Sequence, residues 1–509
     1  MFVRKKRNQS GSVSVHIISK KYGKQKFITS LGASKDPQKI AELYQQAQNK
    51  IHYTSGQSSL FILEKDAAIQ SFLENISNSQ IKVIGPELIF GKLFDKIGFN
   101  QIPSELFRHL VITRLVYPGS KLKTVDYLQR YKGITISVDR IYRFLDKLQN
   151  KYKKQVEQIS FNYTKKILGN KISVIFYDLT TLYFEAEDED DLRKIGFSKD
   201  GKSQKPQIML GLLVGLDGYP IGYDIFEGNT FEGHTFIPIL EKFQKKFNFN
   251  KPIVVADAGL LSKSNIYALE TKHYQYILGA RIKREQSSIK QKILKLDLSD
   301  GEIEEVVLNT TKSKTRLIIS YSSKRAKKDQ NNRKKGLARL EKKIKSGKLT
   351  KQHINNRGYN KYLKLTGNIK IKIDYDKFRD DQKWDGLKGY VTNSDLEKKE
   401  VLENYSNLWL IEKAFRISKT DLRIRPIYHR LKSRIEAHIC VSFSAYAIYK
   451  ELERILYKAK ASFSVKKASE LTKNMYSVDY LLPESLKHNN IILKMDKDQT
   501  LLHDIIKKI

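Results

Sequence analysis

Asp178, Asp257 and Glu412 stand in surroundings suited to holding carboxylates still. Asp178 closes the buried-strand composition VIFYDLT and Asp257 closes PIVVADAG, whereas Glu412 lies in the amphipathic stretch NLWLIEKAFRISKTDL among Arg and Lys. A hard divalent cation such as Mg²⁺ takes a few carboxylate oxygens and fills its other positions with water and substrate phosphate. Two such ions can activate an attacking oxygen and stabilise a leaving one. Three acids gathered inside a very basic chain therefore point to metal-assisted phosphoryl transfer on nucleic acid. An Asp at a strand end is often only a turn residue, so the weight rests on the combination rather than on either Asp.

The charge supports the same substrate class. The 509 residues carry 94 Lys and Arg against 55 Asp and Glu, a formal charge of +39. An excess of this size attracts polyanions, and phosphate neutralisation dominates nucleic-acid affinity; a Lys-rich composition kept for solubility is the bland alternative. The chain is long enough for two to four domains. Cys440 is the only cysteine, which excludes an intrachain disulfide and a Cys-rich zinc site, and its apolar context AHICVSFSAYAIY predicts a core position. The basic start MFVRKKRNQSGS lacks the apolar core of a signal peptide, and no uninterrupted apolar run long enough to span a bilayer is present. The expectation is a cytoplasmic, nucleoid-associated protein without membrane partners.

Several elements must position the acids. Residues 12–31 read as a hairpin, followed by a helix opened by Asp36 as N-cap and Pro37 at the first helical position. This unit either contacts DNA or packs at the N-terminus. From about 85 to 165 the pattern is helical, resembling a helix-turn-helix bundle, with Arg140, Arg143 and Lys147 on or near one face of SVDRIYRFLDKLQ. From Lys171 a strand, a Gly-turned hairpin and then alternating helices and strands give the element order of a ribonuclease-H-like mixed α/β sheet. Between about 285 and 395, SDGEIEEVVLN, KTRLIISYSS and LKGYVTNS predict strands of a second sheet, around a stretch 324–351 with 13 basic residues against two acidic ones. That excess is too large for local pairing along a solvated helix. The predicted divisions are 1–60, 61–165, 166–284, 285–395, 396–460 and 461–509, an α/β chain whose ribonuclease-H-like core is interrupted by a β-rich basic insertion.

The residues around the third acid are more specific. The chain resembles bacterial insertion-sequence DDE transposases of the insertion-sequence-four superfamily, whose signature is Y-x2-R-x3-E-x6-K. Tyr405, Glu412 and Lys419 match at the required spacing, and Leu408 replaces the arginine. The stretches YDLTTLYFE, FEGNTFEGHTF, ADAGLLSKSNI and IEKAFRISKTDLRIRPIYHR resemble the sixteen-thirty-four group of that superfamily. The resemblance covers most of the chain and is strongest in 171–285 and 400–450.

It implies that Asp178, Asp257 and Glu412 ligate Mg²⁺, with Mn²⁺ able to substitute, and that Tyr405 and Lys419 contact DNA near the cleaved end. Arg416, four residues beyond Glu412 on the same helical face, is the candidate for the missing guanidinium. Arg423, Arg425, His429 and Arg430 follow on a segment broken by Pro426 and are expected to line a DNA groove. The implied partners are the element's terminal inverted repeats and target DNA, bound by a homodimer that cuts the ends and joins the 3′-OH to the target. A ribonuclease-H-like nuclease without strand transfer and a degenerate transposase that only binds DNA are the rival readings. Among neighbouring residues, Thr180 and Thr181 are expected to favour the strand, Glu232 and His234 to cap the following helix, and Trp409 to sit in the core.

Overall fold

The computed structural model describes residues 1–21, 23–54, 64–247, 250–308, 315–347, 349, 353–355, 358–366, 370–482, 485 and 487–509. The chain divides into two compact units, one made of Met1–Ile81 with Asp479–Asn490 and the other of Lys82–Val478 with Ile491–Ile509. Among the described residues no helix is long and apolar enough to cross a membrane.

In the smaller unit, strands β1 (Phe2–Arg7), β2 (Val13–Lys21) and β3 (Lys24–Ser34) form an antiparallel sheet in that order. The helix Pro37–Thr54 packs on it over a small core of Val15, Ile17 and Ala47. Asp36 accepts a hydrogen bond from the Gln38 N–H at 2.9 Å, the capping role its position predicts. The hairpin expected at 12–31 therefore gains a first strand. FVRKKR hides its pairing because only Val3 turns partly inward and the other five side chains are exposed.

A short strand, β4 (Ile81–Val83), spans the boundary, and the larger unit continues with a helical layer that includes Glu105–Val116, Lys121–Lys132, Val138–Lys147 and Lys153–Ile167. Then come β5 (Val174–Tyr183), β6 (Gln207–Val214), β7 (Pro220–Glu227), β8 (Ile253–Ala256), β9 (Tyr276–Ala280), β10 (Ile303–Val307), β11 (Arg316–Tyr321), β12 (Leu363–Thr366), β13 (Lys370–Ile373) and β14 (Leu387–Thr392). β5, β6 and β7 run antiparallel, while β8 and β9 add parallel to the other side of β5.

Both sheet faces are covered, so the strands read as nearly continuous apolar runs. Val174, Phe176 and Leu182 enter a core shared with the long helix Lys432–Lys458, whereas Ile175, Tyr177 and Leu179 enter a second core with the helix Phe236–Phe247. Cys440 is buried inside the long helix, as its context predicts.

The second sheet expected between 285 and 395 is not separate. β10, β11 and β14 join the main sheet, whose eight strands run β10-β11-β14-β9-β8-β5-β6-β7. β14 pairs antiparallel with β9, placing Val391 opposite Leu278. Without it, the buried residues of β9 would form an open edge. Alternation in sequence identifies a strand but not its partner, because pairing depends on packing across the chain.

What does stand apart is the pair β12–β13. With the helix Ser323–Lys345 it encloses Leu340, Tyr362, Leu363 and Ile373. That helix carries most of the basic stretch 324–351; residues 348, 350 and 351 lie outside the described residues. One of its cations is structural, since Arg333 is buried and ion-paired with Asp385.

Candidate active site

The sheet register delivers two carboxylates to one place. Phe176 pairs with Val255 and Tyr177 with Ala256, so the next step along these parallel strands sets Asp178 beside Asp257. Side chains alternate across a strand. Asp178 shares the face of Val174 and Phe176, and Asp257 shares the face of Val255, all three of which belong to one core. The helix Trp409–Arg416 buries Leu410, Ile411, Ala414 and Phe415 in that same core. Its other face exposes Trp409, Glu412 and Arg416, a spacing of three and four residues. Trp409 is 51% exposed with the Lys413 ammonium over its ring, so it is not the core residue its apolar neighbours suggest. Helical periodicity turns it away from the core while Leu410 and Ile411 turn in.

Asp178 does not close its strand, as its sequence context suggests, but lies in the middle of β5, which continues to Tyr183; Asp257 directly follows β8. Asp178 accepts from the Leu179 N–H at 2.7 Å, and Asp257 from the Ala258 N–H at 2.6 Å. The Tyr405 hydroxyl reaches Asp257 at 3.4 Å from a ring that is otherwise buried. It can do so because position 279 is glycine: a Cβ there would stand 2.4 Å from that hydroxyl. Lys388 on β14 lies in the field of both Asp257 and Glu412, while burial and Arg325 push its proton affinity down.

Burial raises the Asp178 carboxyl to about 6; Glu232 and Asp257 add to the rise, while Lys199 and the Leu179 N–H oppose it. The Lys199 ammonium lies 2.9 Å from Glu232, 3.6 Å from Asp178 and 2.7 Å from the Leu179 carbonyl. Glu232 is thus drawn to the Asp178 counter-ion rather than to a helix cap, a correction to its expected role. Thr181 has a function beyond strand preference, since its hydroxyl accepts from the Lys199 N–H at 3.0 Å.

The loop carrying Lys199 and Asp200 is pinned by close backbone approach. A Cβ on Gly228 would meet the Gln207 carbonyl oxygen at 2.1 Å and that of Lys194 at 2.4 Å. Neither Lys199 nor Glu232 is legible as a site residue in the sequence, because the pairing depends on how this loop lies across the strands.

The remaining candidates divide into two groups. Lys419 reaches both carboxylate oxygens of Asp200 at 3.1 Å, and Arg425 approaches the same group at 3.2 Å with its guanidinium over the Tyr183 ring. Arg416, Arg423 and Arg430 are exposed, whereas His429 is buried between Tyr142 and His438. Leu408, at the signature arginine position, is half-buried against the core. Arg140, Arg143 and Lys147 are exposed on their helix, whose buried side holds Ile141, Phe144 and Leu145.

Among the described residues no three His, Cys, Asp or Glu side chains are already gathered into a metal cage. The donor set nonetheless suits a hard cation. Asp257 disfavours the ionised form of Asp178, an ammonium already sits between Asp178 and Glu232, and exposed Glu412 lies on the same face.

Burial pushes His429 down to about 3, helped by Lys121, Arg114 and Arg434, and holds His438 well below its usual value. These rings are neutral in the fold but protonate near pH 6.5 when unfolded. Their contribution is complete above about pH 6.5 and is lost as pH falls toward 3. Thermal unfolding in phosphate-free buffer is expected to show a falling melting temperature across that window. A His429→Gln, His438→Gln double variant is expected to flatten the fall, and an unchanged slope would disprove the assignment.

A family model described as the transposase DDE domain matches residues 169–448, more than half of the chain. Among solved structures, the piggyBac transposase synaptic complex with hairpin DNA is similar at 10% identity, covering 76% of each chain with a TM-score of 0.39. The Mos1 transposase paired-end complex with left transposon end is similar at 11% identity over 31% of this chain and 53% of that one, with a TM-score of 0.16. The Mos1 mariner paired end complex with Mn gives 9% identity over 45% of this chain and 72% of that one, with a TM-score of 0.15. Similarities this low carry no weight for the function of this chain. No curated protein matches the chain.

Proposed function

Because this chain belongs to the transposase DDE-domain family, we propose that it cleaves DNA at the ends of an insertion sequence and joins the freed 3′-OH to target DNA. The observation that carries this reading is the delivery of Asp178, from the middle of β5, and Asp257, from the end of the neighbouring parallel β8, to the sheet face on which the Glu412 helix packs. The strand order β7-β6-β5-β8-β9, with three antiparallel strands followed by two parallel ones, supports a ribonuclease-H-like core.

Asp178, Asp257 and Glu412 would hold Mg²⁺, or Mn²⁺ in its place. When bound, the ion supplies Lewis-acid stabilisation of charge on the phosphoryl, attacking and leaving oxygens. The protein's own part is positional. Tyr405 steers Asp257, the backbone N–H that follows each Asp fixes its side chain, and Lys199 screens Asp178 from Glu232. Exposed Arg416 adds positive charge one helical turn beyond Glu412, where a phosphodiester would lie, whereas Lys413 is paired with Glu453. Holding two ends for joining calls for a dimer on the DNA.

The test is an assay with purified protein, the element's terminal inverted repeats, Mg²⁺ and supercoiled target. Joined products support the transposase reading. Cleavage without joining favours a nuclease, and binding without either favours a degenerate, DNA-binding copy.

Lys199 competes with any cation for Asp178 and Glu232. Lys199→Met is therefore expected to tighten Mn²⁺ binding on the order of tenfold, about 1.4 kcal/mol, as followed by electron paramagnetic resonance titration. Weaker binding in that variant would show that the ammonium organises the site rather than occupying it.

A further inference from the structure

A cavity of about 560 Å³ opens between the helices Glu105–Val116 and Lys121–Lys132 and the segment that follows Arg423. Arg114 and Lys121 line it, and each is only 5% exposed. The Arg114 guanidinium meets the carbonyls of Leu422 and Arg423 at 3.5 and 3.4 Å, the weak end of hydrogen bonding. Among the described residues Lys121 makes no ion pair. Burial and Arg114 both push its proton affinity down, and no carboxylate offsets them. The nearby acid, Asp146, is engaged by Arg434 at 2.9 Å.

Two adjacent basic groups buried without a counter-charge are costly to keep protonated, and a bound anion would relieve that cost. The relieving ligand must be an anion. A guanidinium fork beside an ammonium suits phosphate, which takes paired hydrogen bonds from the first and a point charge from the second. The cavity is also far larger than a bare phosphate needs, and exposed Lys123, Arg423 and Tyr428 (65% exposed) surround its mouth. These features fit a phosphate that arrives on a longer strand, with basic side chains for its neighbours and an aromatic face for a base or sugar.

We infer that this cavity is a phosphate pocket in which Arg114 and Lys121 grip one backbone phosphate of the DNA. The assignment of DNA as carrier rests on the transposase reading; the pocket itself rests on the buried cations.

The test compares the full-length chain with Lys121→Met, which keeps the length of the side chain, and with Lys121→Gln, which keeps a polar tip. In chloride buffer, both variants are expected to melt at or above the wild-type temperature, because the buried amine without an ion-pair partner has gone. Inorganic phosphate at matched ionic strength is expected to stabilise the wild type and leave both variants unmoved. Duplex DNA should bind the variants more weakly, with the slope of log K against log salt reduced by about one.

If phosphate stabilises all three proteins equally and the slope does not change, the pocket is disproved. If phosphate acts only through Lys121 but the slope stays the same, the pocket takes a free phosphate compound, and the DNA assignment is overturned. A wild type that binds no DNA at all would sink the transposase reading and the DNA assignment with it. The phosphate arm separates that failure from a failure of the pocket.

Discussion

Asp257→Asn is expected to lower cleavage of element ends by about a thousandfold or more, while binding to the same ends stays within about threefold. The substitution keeps the shape of the side chain and its hydrogen-bonding oxygen, so the turn closed on the Ala258 N–H at 2.6 Å and the contact with Tyr405 can persist. What it removes is a full negative charge at the rim where a cation and the reacting phosphate would meet. A thousandfold corresponds to about 4 kcal/mol of transition-state stabilisation, within reach of one ligand of a catalytic cation.

Asp178→Asn and Glu412→Gln should behave alike, although by different routes. Asp178 is the more buried of the pair, with its carboxyl raised to about 6 by burial and neighbouring acids, whereas Asp257 and Glu412 are exposed. The readouts are single-turnover cleavage of labelled ends and gel-shift binding in Ca²⁺. Full cleavage by any one variant would remove that residue from the site, and lost binding with intact folding would make its role one of DNA contact.

The second large effect concerns stability. Glu451→Ala is expected to destabilise the larger unit by about 3–5 kcal/mol, because a buried ion pair broken from one side strands the partner charge. Glu451 is fully buried in the long helix, where Arg454 grips it at 2.6 and 2.9 Å, the Tyr219 hydroxyl donates at 2.9 Å and the Lys96 ammonium lies at 3.4 Å. Removing the carboxylate leaves two cations and a buried phenol without their acceptor. Tyr219 begins the return into β7, and the Tyr446 hydroxyl also donates to the Gly218 carbonyl at 2.6 Å, so the β6–β7 turn is tied to the long helix at two points. Urea unfolding of the two proteins measures the difference. A loss below about 1 kcal/mol would mean that water reaches Arg454 and Lys96 and that the cluster is not closed.

Much of the framework is legible in the sequence. Runs such as VIFYDLT and IVVADAG announce buried strands because both of their faces are apolar, and a strand buried on both sides belongs to a covered sheet. The signature residues Tyr405, Glu412 and Lys419 lie within fifteen residues of one another, so their relation is a matter of local spacing. By contrast, nothing in the sequence marks Lys199 and Glu232 as a pair, and the surroundings of Trp409 mislead. A lysine in a polar loop carries no signal until the loop is laid against the strand that bears Asp178. An aromatic beside Leu410 and Ile411 reads as core until the helix is rotated onto its contacts.

The sequence by itself determined which residue types this chain can bring to chemistry, that its surface favours polyanions, and which stretches alternate as strands or repeat as helices. These are local properties, written in composition and in spacings of two to four residues. Only the tertiary structure decided that β10, β11 and β14 extend the main sheet, that Asp178 and Asp257 emerge side by side on one face, and that the segment after Arg423 closes a cavity over Arg114 and Lys121. Each of these depends on residues tens to hundreds of positions apart. Such pairings are chosen by which faces can be buried together, a quantity that exists only once the whole chain competes for the same core.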